Sequence, residues 1–372
     1  MADKNKKAAV ITRHAVSNYG SVLQAYALQE SIKKLGYDCE IIDYIRTDEY
    51  YRNIADTLVK KSSWNKNIIT RLIYKSIQSP EYIIMGRAFE KYRKALLCES
   101  KTRYSSLSEL KNNPPDADIY CTGSDQVWGP VGSDNCDGAY FLDFAPDGKK
   151  KIAYAASFGK TDISNCDTDK IKNSLEDYDF LTVREKSAVE LINSLGISGV
   201  TQVLDPTLLL DSDEWSKLIK QNISGKYVLL YQLHSNPDMD SYAERFALKS
   251  GLKLIRLTPL FHRVFKSGKA VYLPDISAFL SYIKNAEFMI TDSFHGTAFA
   301  INFNTPFIDI LPGETKTRNQ SILELTGLTN RILGSYDDYS FIDKKTDFTN
   351  ANEIISQKRL QSIETLKNML ED

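Results

Sequence analysis

The chain has few of the residues on which metal and disulfide frameworks are built. Its 372 residues include five cysteines and four histidines. Cys39, Cys98, Cys121, Cys136 and Cys166 are odd in number and contain no C-x-x-C pair. That argues against a structural zinc site or a disulfide scaffold and fits a reducing cytoplasm. His14, His234, His262 and His295 are scattered, with no i, i+4 pair for a metal. Net charge is lacking too: 47 Lys and Arg stand against 48 Asp and Glu, giving −1, and that balance points to no nucleic acid. No window approaches the roughly 18 apolar residues of a spanning helix. The basic start Met1-Ala-Asp-Lys-Asn-Lys-Lys is followed only by Ala8-Ala-Val-Ile11 before Arg13 and His14, too short for a secretory core. The expectation is a cytoplasmic protein of two domains, at roughly 100–200 residues each, that can still touch a membrane surface.

What is there is alternation. Ala8–Thr12 reads as a short apolar strand, Ser21–Leu35 as a helix ended by Gly36, and Cys39–Tyr44 as the next strand. Such a βαβ start builds a parallel sheet with helices on both faces. Ile119–Thr122, Ile152–Ala156, Phe180–Val183 and Val203–Asp205 continue the strands, with a helix over Glu185–Leu195. A second series follows, with strands at Tyr227–Leu233, Lys253–Leu257, Glu287–Ile290 and Pro306–Ile310. We therefore expect an α/β protein of two Rossmann-like domains facing a central cleft, at residues 1–205 and 206–345, with a C-terminal helix over 346–372 that packs back on the first domain.

A basic helical insertion at about 50–103 interrupts the first series. From Lys60 to Arg103 there are eleven Lys and Arg against Glu81, Glu90 and Glu99, a local charge of +8. Trp64, Ile68, Leu72, Ile73 and Ile77 share one helical face, and Lys66, Arg71 and Lys75 lie largely elsewhere. Such a helix suits an anionic membrane surface; the alternative is an ordinary helix packed on the first domain with its basic face in water.

The richest segment is Phe288-Met-Ile-Thr-Asp292-Ser293-Phe294-His295-Gly296, a strand, a sharp turn and a helix. Asp292 or Ser293 is a good N-cap, which puts His295 in the first turn, where free N–H groups and the helix dipole favour an anion. Gly296 leaves room for a ligand at the backbone. A titratable imidazole beside an anion site is an acid/base device for a phosphorylated substrate; the plainer reading is a histidine that caps or packs. Other strand-end loops are similar. Asn18-Tyr19-Gly20-Ser21 opens the first helix. In Thr122-Gly-Ser124-Asp125-Gln-Val-Trp128 a carboxylate and an aromatic plane suit a sugar, or else form a turn with Trp128 in the core. Arg184 at a strand end suits a carboxylate or phosphate, or else a salt bridge to Glu185 or another acid.

Taken in order, Asn18-Tyr-Gly20-Ser-Val-Leu-Gln-Ala-Tyr-Ala-Leu28, Thr122–Trp128, Ala155-Ala-Ser-Phe-Gly159, Val183-Arg184-Glu-Lys-Ser187, Asp205-Pro-Thr207 and Thr291–Gly296 resemble the motifs of the polysaccharide pyruvyl transferase family. The resemblance implies a fold similar to that of two-domain (GT-B-like) glycosyltransferases, with the acceptor on the N-terminal side and the donor on the C-terminal side. It implies transfer of the enolpyruvyl unit of phosphoenolpyruvate to a sugar of a capsule or exopolysaccharide precursor, giving a cyclic pyruvate ketal and phosphate, with no metal or other cofactor. By position His295 matches the family's essential histidine, Arg184, Asp125 and Asp205 match polar residues that line its cleft, and Lys316 or Arg318 fits a basic residue some twenty positions after the histidine. On the chemistry we expect His295 as general acid with Asp125 or Asp205 taking the hydroxyl proton, and Arg184, Ser293, Phe294 and Lys316 or Arg318 at the donor. Asn18, Tyr19, Gly20, Ser124 and Trp128 fall to the acceptor. Its setting adds a polyprenyl-pyrophosphate-linked saccharide as acceptor and work at the inner face of the cell membrane; the basic segment at about 60–103 matches no family motif, and its own charge and apolar face would suit a peripheral contact there. Lys316-Thr-Arg318-Asn319 departs from the expected wording, so which of the two cations meets the donor stays open. The competing functions are a sugar-nucleotide-dependent glycosyltransferase, which shares the architecture, and a non-catalytic saccharide-binding relative.

Overall fold

The computed structural model describes residues 6–60, 62–130, 136–159, 163, 166–313 and 316–371. Its contacts divide the chain into two units, Met1–Pro206 with Ser362–Asp372, and Thr207–Gln361. Each carries one all-parallel sheet.

In the first unit the strands are β1 (Lys7–Ile11), β2 (Asp38–Tyr44), β3 (Glu99–Tyr104), β4 (Ile119–Thr122), β5 (Lys150–Ala156), β6 (Phe180–Val183) and β7 (Thr201–Gln202). They lie in the order β3-β2-β1-β4-β5-β6-β7. The central strands are continuous apolar runs, and Ala8, Ala9, Val10 and Ile11 are wholly buried. A parallel strand covered by helices on both faces requires that. In the second unit β8 (Tyr227–Tyr231), β9 (Lys253–Thr258), β10 (Lys269–Tyr272), β11 (Phe288–Thr291) and β12 (Phe307–Asp309) lie in the order β10-β9-β8-β11-β12. In both sheets the order reverses direction once, between β1 and β4 and between β8 and β11. Ligands of doubly wound sheets bind outside the carboxyl ends of the strands at such a reversal.

Two strands, β3 and β10, were not legible as strands. Both are sheet edges, Glu99-Ser-Lys-Thr-Arg-Tyr104 and Lys269-Ala-Val-Tyr272, and half-exposed or charged edge strands lose the apolar signature of a buried one. The seventh strand is Thr201–Gln202 and not Val203–Asp205; a 3₁₀ turn at Pro206–Leu208 begins straight after Asp205, and Asp205 is buried. The basic insertion forms two helices, Ile54–Lys60 and Ile68–Leu96, the second capped by Asn67 and holding Pro80 inside it. The last helix, Thr349–Glu371, reaches the first unit at Ser362, whose Oγ accepts a hydrogen bond from the Leu204 N–H at 3.0 Å.

Candidate active site

At the carboxyl ends of the first sheet, one hydrogen-bonded network joins the loops after β1, β4, β5 and β6. Thr12 Oγ1 donates to the Ser124 carbonyl (2.7 Å) and accepts from Gln24 Nε2 (2.9 Å). Ser21 Oγ donates to Asp125 Oδ2 at 2.8 Å, linking the first helix to the β4 loop across the reversal. Ser124 Oγ and Arg184 NH1 both donate to Asp205 Oδ2 at 2.9 Å. Arg184 also meets Glu185 (3.3 Å), which receives the Ser157 hydroxyl. Backbone strain gathers in the same place. Asp125 has φ +77° and Ala155 φ +54°, and β5 slips register beside β6 between Ala153 and Ala156. Left-handed backbone costs Ala155 about 1–2 kcal/mol, whereas the short polar side chain of an aspartate tolerates it.

At the carboxyl ends of the second sheet, Asp292 is the central group. It is buried, and its carboxylate accepts the N–H groups of Leu233 (2.6 Å) and His234 (2.9 Å) and faces His234 Nδ1 at 3.0 Å. The same loop is held by Arg263, which donates to the Gln232 and Leu233 carbonyls at 2.5 and 3.1 Å. The His234 side chain is 53% exposed, so a buried carboxylate orients an accessible imidazole. Ser293 is the N-cap of the helix Phe294–Phe303, its Oγ accepting from the Gly296 N–H at 3.2 Å. His295 occupies the first turn, buried, with its ring edge-on to Phe294 at 5.1 Å.

Asp309, at the end of β12, ties two helix starts together. It accepts from Thr297 of one helix and from Asn319 Nδ2 (2.9 Å) of the helix Lys316–Leu325. Burial pushes its carboxyl up to about 6, against the hydrogen bonds from Thr297 and Asn319 that pull it down, with the Asp292 charge adding to the rise. The folded value lies above the ordinary 3.8, so the folded state holds this proton more tightly. Its stabilising contribution is full below about pH 4 and is lost as pH rises through about 6. Asp309→Asn is expected to flatten that fall by about 3 kcal/mol, at 1.36 kcal/mol per pKa unit. Thermal denaturation of both proteins between pH 4 and 7 measures it; equal slopes would mean that Asp309 titrates as an ordinary carboxyl.

Several expected contacts are re-placed. Trp128 is no stacking platform for a sugar: it is wholly buried, stacked on Phe141 at 5.7 Å, and its indole N–H donates to the Tyr140 carbonyl. Tyr19 is also wholly buried, against Phe89 at 4.9 Å. Gly296 does not make room for a ligand. A Cβ there would meet Thr291 Oγ1 at 2.6 Å and Met289 at 3.0 Å, so the glycine lets the helix sit on its own sheet. Asp205 and Arg184 are buried partners of one another, which makes Asp205 a counter-ion before it is a base. Asn18 caps the first helix, its Oδ1 accepting from the Gly20 N–H. Asp125 and Ser124 lie in the network, Arg318 is half-buried, and the side chain of Lys316 lies outside the described residues.

Sequence reasoning missed Thr12, Gln24, Ser157, His234 and Asp309. The available signal was position: each polar residue follows or faces a buried strand end. It also missed a group formed by the fold. His14, Asp43 and Glu99 come together, with His14 Nε2 3.6 Å from each carboxylate. Arg103 and Arg93 pair with those carboxylates at 2.7 and 2.8 Å, so their charge is answered by arginine.

A family model described as polysaccharide pyruvyl transferase matches residues 18–311. No curated protein matches the chain. Among solved structures it is similar to the UDP-GlcNAc 2-epimerase of Methanocaldococcus jannaschii (TM-score 0.54, 14% identity, 97% of this chain and 99% of that one). It is also similar to the UDP-GlcNAc 2-epimerase of Neisseria meningitidis bound to UDP-GlcNAc (0.50, 10%, 98% of each) and to UGT89C1 of Arabidopsis thaliana (0.50, 10%, 98% of each). At such identities the likeness shows the fold alone: an α/β protein of two Rossmann-like domains, as in the GT-B enzymes.

Proposed function

The chain belongs to the polysaccharide pyruvyl transferase family, and on that premise we propose that it moves the enolpyruvyl unit of phosphoenolpyruvate onto a sugar of a surface-polysaccharide precursor. The observation that carries this reading is His295, in the first turn of a capped helix at the reversal of the second sheet. Phosphoenolpyruvate brings a carboxylate and a phosphate, and the positive end of a helix dipole suits such an anion. Ser293, Phe294 and the cationic start of the helix Lys316–Leu325, Lys316 or Arg318, are its donor contacts in this reading. Cations in a first helical turn oppose the helix dipole, a cost that a bound anion removes.

The reaction then runs through protons and charge held by side chains, without a metal. His295 gives a proton to carbon 3 of the donor, which makes carbon 2 electrophilic. One sugar hydroxyl bonds to carbon 2 and gives up its proton to a carboxylate. Phosphate leaves carbon 2, and a second hydroxyl bonds there in its place to close the cyclic ketal; of the two hydroxyl protons one returns to His295 and the other leaves with the phosphate. In the first unit Asp125, held by Ser21, is the carboxylate that we assign to the hydroxyl proton, with Asn18, Gly20 and Ser124 around it. His234, oriented by Asp292, is a second proton carrier at the donor end. A polyprenyl-pyrophosphate-linked saccharide at the inner face of the membrane is the acceptor form that this reading favours.

The test is incubation of the full chain with phosphoenolpyruvate and a panel of galactose-, mannose- and glucose-containing acceptors. Phosphate release and acceptor mass are followed together. The expected result is equal phosphate release and pyruvate gain on one acceptor class. Acceptor modification that requires a nucleotide sugar and ignores phosphoenolpyruvate would overturn the reading.

A further inference from the structure

The helix Ile68–Leu96 exposes far more apolar surface than a packed helix does. Eleven large hydrophobic side chains are exposed among the described residues, and seven of them are Trp64, Ile68, Ile69, Leu72, Ile73, Ile77 and Ile84, between 43 and 71% exposed. Such a patch on a protein surface marks an interaction site. At 3.6 residues per turn, Met85, Phe89 and Arg93 define the side that packs on the first unit. Gly86 lies beside them, where a Cβ would overlap Tyr51. Ile69, Ile73, Ile77 and Ile84 lie on the opposite side, and the exposed Arg87, Lys91 and Lys94 continue that side in the second half of the helix. The isoleucine row runs about 24 Å at 1.5 Å per residue.

Charge selects the occupant. The segment from Lys60 to Arg103 carries +8, and the rest of the chain, thirty-six basic against forty-five acidic residues, carries −9. Its acids are engaged: Glu90 with Arg103 and Lys94, and Glu99 with Arg93. Lys75 is also engaged, by Asp56 of the neighbouring helix, and Lys60, Lys66, Arg71, Arg87, Lys91 and Lys101 are exposed outside these pairs, Arg71 on the packed side of the helix and Arg87 and Lys91 on the isoleucine side. Two copies meeting through this face would bring like charges together. No helix among the described residues is long and apolar enough to cross a membrane, and an apolar face bordered by cations is the pattern of a helix lying in the headgroup region.

We propose that the helix Ile68–Leu96 docks the protein on an anionic lipid bilayer, its isoleucine row bedded at the headgroup boundary and Arg87 and Lys91, with Lys66 just before the helix, meeting lipid phosphates. The inference deepens the reading above, since a lipid-linked acceptor would be met at that surface, but its test needs no substrate and can fail by itself.

The full chain is sedimented with vesicles of phosphatidylcholine alone and of phosphatidylcholine with about one-third phosphatidylglycerol, a composition that sets a negative surface potential. Binding to the anionic vesicles is expected to exceed that to neutral ones by about tenfold or more, at roughly 1 kcal/mol per engaged cation. Salt of about 0.5 M should remove most of that difference. Ile69→Glu, Ile73→Glu and Ile77→Glu together should abolish binding, and Lys66→Glu with Arg87→Glu and Lys91→Glu should remove the anionic preference. All six side chains are exposed, so circular dichroism should show both variants folded. Equal binding to the two vesicle types, or none, overturns the proposal. So does a dimer in light scattering that the isoleucine variant splits, which would make a second copy the occupant.

Discussion

Replacing His295 with glutamine is expected to lower turnover of phosphoenolpyruvate by roughly 10²–10⁴-fold, the usual worth of a positioned acid, while the protein stays folded. The imidazole is buried beside Phe294 in the first turn of the helix Phe294–Phe303. Glutamine fills much of that volume and keeps a polar group, but it cannot give up a proton. His295→Ala should lose as much turnover and, because it leaves a void, also lower the thermal midpoint by a few degrees. The two variants thus separate chemistry from packing. His234→Gln is the matched control, since Asp292 orients that exposed ring at the same sheet reversal. An unchanged rate in purified His295→Gln would remove the general-acid role. A full loss in His234→Gln alone would transfer that role to the Asp292-oriented imidazole.

Much of the fold was legible because a parallel strand covered on both faces must be apolar throughout. Ala8–Ile11, Ile119–Thr122 and Tyr227–Tyr231 stand out for that reason. Each is followed by a polar loop where the strand meets water. The edge strands β3 and β10 carry Glu99, Lys101, Arg103 and Lys269 and meet solvent, so they look like loops. At the candidate site, residue identity pointed to the right loops but not to the direction of each side chain. A tryptophan after a strand end reads equally well as a sugar platform or as core, and only the packing of Trp128 against Phe141, Phe158 and Tyr178 decides. The strain at Asp125 and Ala155 was invisible, since both residue types ordinarily avoid a left-handed backbone or tolerate it only locally. The tie from Asp309 to both Thr297 and Asn319 depends on tertiary placement that spacing does not encode.

Arg184 sets two roles against each other. A strand-end arginine suits the donor's carboxylate or phosphate, yet here its guanidinium lies between Asp205 at 2.9 Å and Glu185 at 3.3 Å, all three buried. Their negative charge holds the guanidinium proton even more firmly than usual, against the opposing effect of burial. Arg184→Ala would take the arginine from two buried carboxylates, a loss of about 3–5 kcal/mol. The thermal midpoint should fall by something on the order of 10 °C for a unit of this size. Arg184→Lys should recover little, since an ammonium lacks the planar fork that meets two acceptors at once. The decisive variant adds Asp205→Asn to Arg184→Ala. If the arginine is a strut, removing one buried charge restores a large part of the lost stability, because the penalty came from a buried carboxylate deprived of its arginine. If Arg184→Ala instead keeps its thermal midpoint and only raises the Michaelis constant for phosphoenolpyruvate, the guanidinium is a donor ligand and the carboxylates around it do not depend on it. The expected result is the first. Ser124 donates to the same Asp205 oxygen, so any shift of that carboxylate with the arginine gone should loosen the β4 loop that carries Asp125.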